Sequence, residues 1–269
     1  MKRFSELKEE AKGLLKPKFW EYFGVIVSIP LALYLIILLE DIIFGDQELI
    51  DSILMLIINI ITVPLAVGVI YITVQFVRGN EFGIKQWFVG YKKFWRVFWT
   101  IGVKGFLIGV WYVLPMIMIM GVIIPQAEEA IGMGLFKQGL HNAVPPTYIS
   151  VFESIISTLF TSSIGLITIA LFIAAIVIST IVSLAYVMVE YILAEKPELT
   201  WKQVLRLSKT MMKGQKTRFL LFNLSFIGWI LLSGVTFGIA LIWVLPYIQV
   251  AQVLFYEGIN ERYEEMMKE

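Results

Sequence analysis

Cysteine is absent, histidine occurs once, at position 141, and charged residues make up only 16% of the 269 positions. Each shortage closes off a class of chemistry. A chain without cysteine forms no disulfide, no thiolate nucleophile and no Cys-based metal site. A single histidine excludes the His-pair zinc motifs. No phosphate-cradling G-x-x-x-x-G-K-[ST] loop occurs, and no G-x-G-x-x-G follows a strand-like run. Soluble domains carry about 25% charged residues, so this chain has too few charges to cover a water-facing surface of its size.

Apolar sequence takes their place. Hydrophobic residues make up 58% of the chain and the mean hydropathy is +0.81. Crossing ~30 Å of hydrocarbon at ~1.5 Å per helical residue takes about 20 apolar residues. Six stretches qualify, at about 19–44, 49–77, 97–125, 164–194, 217–234 and 237–257. The sequence therefore predicts an all-α, polytopic transmembrane helical bundle of six spans. The first of them is expected to act as an uncleaved signal anchor, because the charged segment ahead of it is unlike a cleavable leader.

The cations give this chain a direction. Of the 22 Lys and Arg residues, all but Lys104 and Lys137 fall in four short segments, 1–18, 78–96, 195–218 and 258–269. The intervening loops at 45–52 and 125–150 hold acids and a single Lys. Lys and Arg collect on the cytoplasmic side of membrane proteins, so both termini and the basic segments are expected inside. Six spans and the charge asymmetry agree on this without adjustment. The net charge of +1 sums two differently charged faces and implies no nucleic-acid partner.

Each of the first three basic segments repeats an order: helix, glycine, basic cluster, aromatic, span. It runs Leu7, Ala11, Gly13, Lys16, Lys18, Phe19, Trp20; then Trp87, Gly90, Lys92, Lys93, Phe94, Trp95; then Leu205, Ser208, Met212, Gly214, Lys216, Arg218, Phe219. Within one membrane domain, 1–269, this outlines three units, 1–77, 78–194 and 195–269, each a cytoplasmic-surface helix feeding a hairpin, with the glycine ending the surface helix. Convergence on the residue types favoured at any inner membrane boundary gives the same order. The third surface helix is the clearest. Thr200 and Gln203 form a capping-box start. Trp201, Val204, Leu205, Ser208, Met211 and Met212 share one face, and Lys202, Arg206, Lys209 and Lys213 lie on the others. Such a helix either lies on anionic lipid, cations to the headgroups, or packs its apolar face on the protein itself. The basic belt of interest is Lys92, Lys93, Arg96, Lys202, Arg206, Lys209, Lys213, Lys216 and Arg218, with anionic headgroups as the expected partner.

Ionisable groups within spans are costly and mark function by default. Glu40 and Asp41 reach the outer surface, Lys104 snorkels to the inner one, and Glu190 is placed to pair with the cations of 196–218. Glu128, Glu129 and His141 share the outer loop as solvated residues. The deeper amides Asn59, Gln75, Asn223, Gln249 and Gln252 (with Ser225 beside them) either bond across helices or line a polar cavity. Prolines 30, 64, 115 and 246 kink spans and free carbonyls, which suits a cavity or irregular packing. Gly102, Gly105 and Gly109 offer close helix contact. Residues 151–163 read as an interfacial or re-entrant lead-in, and Ser233-Gly234 with Gly238 as the turn of a tight hairpin.

Residues 191–256 carry a recognisable string: YILAEKPELT, then SKTMMKG at 208–214, LSFIGWILLSGVTFGIALIWVLPY at 224–247 and FY at 255–256. With LKEEAKGLLKPKFW near the start, it resembles the bacterial integral-membrane family named domain of unknown function 975. The resemblance implies a multi-span protein of the bacterial cytoplasmic membrane. It implies no cofactor and no catalytic residue. The expected function is non-enzymatic organisation of lipids or partner proteins, a homo-oligomer included; a small-solute or peptide transporter or an export or immunity component is the alternative. Because the native chain lacks Cys, single cysteines map its topology directly. A cysteine at position 137 should react with an impermeant maleimide in intact cells and one at 202 only after lysis; the reverse order would invert the topology.

Overall fold

The computed structural model describes residues 2–44, 48–121, 156–157 and 160–268. Among these the chain is helical and without strands. The helices are α1 (Phe4–Phe44), α2 (Glu48–Val77), α3 (Phe94–Gly109), α4 (Ser163–Ala185), α5 (Val189–Glu195), α6 (Trp201–Met211), α7 (Lys216–Leu224), α8 (Ile227–Val235) and α9 (Leu241–Met266). A 3₁₀ segment, Ile84–Lys93, precedes α3, and a second, Val110–Tyr112, passes α3 on to a helical stretch at 113–121.

Six of these paths are long and apolar enough to cross a membrane: Phe4–Leu39, Ser52–Val77, Ile84–Gly121, Ser163–Glu195, Lys216–Val235 and Leu241–Met266. The number expected from hydropathy is the number found, but the ends differ. The helix ahead of the first span joins it across a kink. Gly13 lies inside α1, and the break comes at Lys18 (φ −125°, ψ 22°), just after Pro17, where the ring disrupts the helical ladder. The last helix runs past 257 to Met266. The loop carrying Glu128, Glu129, Lys137 and His141 lies outside the described residues, as does most of 151–163.

The chain forms two compact units, 1–104 with 184–269, and 105–183. In the smaller unit Tyr112 and Ser179 share a hydrogen bond at 2.7 Å, and Tyr112 sits edge-on to Phe172. The larger unit holds the main core. Tyr22, Val67, Ile72, Val74, Met188, Ile192, Met212, Phe222, Phe226, Phe255, Tyr256 and Ile259 are all fully buried. This core lies toward the ends of α1, α2 and α9 that adjoin the basic segments. At the other end Leu31, Leu35, Leu38 and Leu39 of α1 and Ile53, Leu56, Ile57 and Ile61 of α2 are exposed. Bare Leu and Ile on several sides of a helix suit hydrocarbon as the surrounding medium, not water.

Two glycines set the closest approach in this unit. A Cβ on Gly68 of α2 would strike the backbone of Trp87, and one on Gly90 would strike the backbone of Pro64. The 3₁₀ segment therefore lies backbone to backbone on α2. Trp87, buried, donates its indole N–H to the Val25 carbonyl of α1 at 2.9 Å. The Tyr91 hydroxyl donates to the Ile61 carbonyl at 2.7 Å, next to the carbonyl of residue 60 that Pro64 leaves without its amide donor. The Gly83 amide is capped by Gln86 Oε1 at 2.8 Å. Gly102, Gly105 and Gly109, expected at a helix contact, have nothing within 4 Å of a built Cβ.

Gly68→Ala and Gly90→Ala should each lower stability by at least the ~1–3 kcal/mol typical of overpacking. Gly102→Ala, on an exposed helical face, should be neutral or stabilise by up to ~1 kcal/mol. Denaturant titration in micelles, followed by helical circular dichroism, measures both.

Candidate functional site

The basic belt divides into cations bound by the protein and cations left outward. Arg96, in the first turn of α3, donates Nη1 to the carbonyls of Lys196 and Leu199 (both 3.0 Å) and Nη2 to that of Leu193 at 2.9 Å. Lys93 donates to the Pro197 carbonyl at 2.9 Å. Together they collect carbonyls at and just beyond the C-terminal end of α5, where a positive charge is favoured. Arg218 donates to the Lys2 carbonyl at 2.6 Å and its guanidinium lies over the Phe4 ring. Lys216 is half-buried at the start of α7.

Lys92, Lys202, Arg206, Lys209 and Lys213 are exposed. None has a carboxylate partner within ion-pair distance among the described residues. Four of them ride on α6 and the turn after it. The opposite face of that helix is closed: Val204, Leu205, Ser208, Met211 and Met212 are buried, and Ser208 Oγ donates to the Ala185 carbonyl at 3.0 Å. Gln203 Oε1 accepts from the Thr200 amide at 2.8 Å, as the capping-box pattern predicts. Gly214 (φ +76°) ends the element in a conformation that glycine tolerates best. Of the three glycines expected to stop a surface helix, this one does so. Gly90 serves close packing instead.

Acids bind the rest of this end together. Arg78 reaches Glu195 at 2.5 Å and Glu257 at 2.8 Å, and Tyr256 donates to Glu195 at 2.7 Å. Burial opposes the charge on Arg78, but the two carboxylates outweigh it and hold its pKa above the usual guanidinium value. Lys104 and Glu190, treated above as independent charges, form one ion pair at 2.5 Å. Glu190 thus takes its cation from α3 and not from 196–218. No sequence spacing signals such partners, since they are 61 or more positions apart.

The amides are placed separately. Gln252 donates to Asn223 Oδ1 at 2.7 Å, the one contact between two of the five. Asn80 donates to Gln75 Oε1 at 2.8 Å. Gln249 Oε1 is reached at 3.2 Å by the buried Tyr22 hydroxyl, which also shares a hydrogen bond with Thr73 at 2.8 Å. Asn59 is exposed and bonds the Met55 carbonyl of its own helix at 2.7 Å. Two cavities lie in this unit. One of about 360 Å³ is lined by Lys2, Arg78 and Arg218 facing Glu10, Glu257 and Glu261; with three charges of each sign, it exerts little net pull on an ion. The other, about 390 Å³, lies between Pro30 and Pro246 beside Trp87, and Gln249 is the amide on its apolar wall. Among the described residues, no cluster of three His, Asp or Glu is placed to hold a metal.

Six long apolar helices and a charged end knit by ion pairs define a multi-pass membrane protein. The sequence profile of the protein family of unknown function 975 (DUF975) matches residues 1–263, and the chain belongs to that family. No curated protein and no solved structure matches it.

Arg96→Lys keeps the charge but loses the fork that serves three carbonyls. It should cost ~1.5–3 kcal/mol, the scale of hydrogen bonds to a charged group, whereas Lys92→Gln should stay within ~0.5 kcal/mol. Unfolding midpoints of the purified proteins decide this.

Proposed function

We propose that this chain is a non-enzymatic, multi-pass protein of the bacterial cytoplasmic membrane that organises anionic lipids, with a partner membrane protein or a second copy as a further guest. In this reading both termini and all the basic segments face the cytoplasm, and α6 is an amphipathic helix at that surface. The observation that carries it is the fixed outward array of Lys202, Arg206, Lys209 and Lys213 on a helix whose apolar face is buried in its own protein. A docked helix presents its cations without having to fold on the membrane first. Each cation near an anionic leaflet contributes roughly 1 kcal/mol, screened within a Debye length.

Transport is a second reading, favoured by the cavity between Pro30 and Pro246. Its wall is apolar apart from Gln249, whose carbonyl oxygen already meets Tyr22, so an apolar guest suits it better than a hydrated solute.

Spin-labelled lipids in reconstituted membranes test the lipid reading. Phosphatidylglycerol should be enriched over phosphatidylcholine in the motionally restricted shell, the preference should fall as salt rises, and replacing the four α6 cations with Gln should remove most of it. Equal shells for the two lipids would reject the proposal.

A further inference from the structure

One groove of the larger unit takes no part in the array on α6. It runs between α1 and the hairpin of α8 and α9, has a volume of about 320 Å³, and is lined by Lys12, Leu15, Lys16 and Phe19 on one side and Trp229, Trp243, Val244 and Tyr247 on the other. Leu15, Val244 and Tyr247 are buried and form its floor, while Trp229 and Trp243 are 41% and 50% exposed and form its rim.

Lys12 Nζ lies 5.9 Å from the Trp229 ring and 5.6 Å from the Tyr247 ring, within the range where a cation is held over an aromatic face. Lys12 and Lys16 are one helical turn apart, exposed, and without a carboxylate at ion-pair distance among the described residues. The neighbouring Lys8, by contrast, donates to the Ser225 carbonyl at 2.8 Å and lies over the Phe226 ring. One lysine thus ties α1 to the turn between α7 and α8, and the next two lie open above an apolar channel.

The level of the groove completes the argument. It spans the Pro17–Lys18 kink, where α1 changes from a charged amphipathic stretch to a continuous apolar one. Trp and Tyr gather at the headgroup level of a bilayer. A groove with two cations at its charged end and Leu, Phe, Val and Trp along its length matches a molecule with an anionic head and a hydrocarbon tail. We infer that this groove is a binding site for one anionic glycerophospholipid, its phosphate between Lys12 and Lys16 and the upper part of one acyl chain along Leu15, Phe19, Val244 and Trp243. The inference deepens the lipid reading above and rests on it, but it names a single stoichiometric site where that reading names a diffuse surface.

Native mass spectrometry of the full-length chain in detergent, titrated with phosphatidylglycerol, tests it. One phosphatidylglycerol should persist at activation energies that strip all the others, and phosphatidylcholine with the same chains should not. Lys12→Gln with Lys16→Gln should weaken that first lipid about 30-fold, two cations' worth, and Trp243→Ala should shorten its retention. Lys202→Gln with Lys209→Gln should thin the later lipids and spare the first. Helical circular dichroism shared by all variants keeps the comparison on binding, since every altered residue is exposed. If the first lipid survives the groove variant and is lost in the α6 variant, the groove is not its site although the surface reading stands. If free glycerol phosphate displaces it, the site recognises a headgroup without a chain, and the groove occupant proposed here is wrong. If the α6 variant keeps all the later lipids while the groove variant loses the first, the surface reading alone is rejected.

Discussion

The backbone-to-backbone seating of Ile84–Lys93 on α2 is the contact from which the larger unit is built. It requires an absent side chain on each partner, at Gly68 and at Gly90, and it places the Trp87 indole and the Tyr91 hydroxyl on the carbonyls of Val25 and Ile61. In hydrocarbon, an unpaired backbone polar group costs several kcal/mol. Side-chain donors such as the Trp87 indole and the Tyr91 hydroxyl therefore suit helices that carry prolines. Because α3 follows directly from this segment, its seating also aims Lys93 and Arg96 at the end of α5, and Lys104 at Glu190. Packing of a short 3₁₀ turn thus sets the positions of three cations on the other side of the loop.

The same residue type does opposite work within a few positions. Arg96 is held by three carbonyls while Lys92 is exposed; Lys8 is held by Ser225 and Phe226 while Lys12 lies exposed near the Trp229 and Tyr247 rings. Charge density alone therefore overstates the surface available to lipid. What separates the two groups is where helices end. Exposed carbonyls at the ends of α5 and α7 draw the cations within reach, and those on the far faces of α6 remain outward because their helix is already anchored by Val204, Leu205 and the two methionines.

Long-range partners explain what was and was not legible in the sequence. Span number, the capping box at Thr200 and Gln203, the turn at Gly214 and the turn at Gly238 (φ +87°) all follow from local rules with a period or a fixed offset. The continuity of α1 through Gly13 was hidden, because a glycine inside a helix and a glycine after one look alike until the break is found at Lys18. Gly102, Gly105 and Gly109 make a regular small-residue row, yet the close contacts fall at Gly68 and Gly90, which have no such spacing. The pairs Arg78–Glu195 and Lys104–Glu190 join residues brought together only by tertiary packing, so no window on the sequence contains both.

Two of the strings that carried the resemblance, at the two ends of the chain, meet in space. The LKEEAKGLLKPKFW stretch supplies Lys8, Lys12, Leu15 and Lys16; the 224–247 stretch supplies Ser225, Phe226, Trp229, Trp243, Val244 and Tyr247. They are over 200 positions apart; Lys12, Leu15 and Lys16 line one groove with Trp229, Trp243, Val244 and Tyr247, and Lys8 meets Ser225 and Phe226 beside it. If their purpose were packing alone, an apolar residue at position 12 would cover Trp229 and Tyr247 as well as an exposed lysine does. A cation kept over aromatic rims, with its neighbour one turn on also unpaired, makes physical sense where an anion arrives from outside the protein. The hydrocarbon-facing helices supply the membrane in which that anion is most abundant as a headgroup, so the groove and the spans argue for the same ligand from opposite directions.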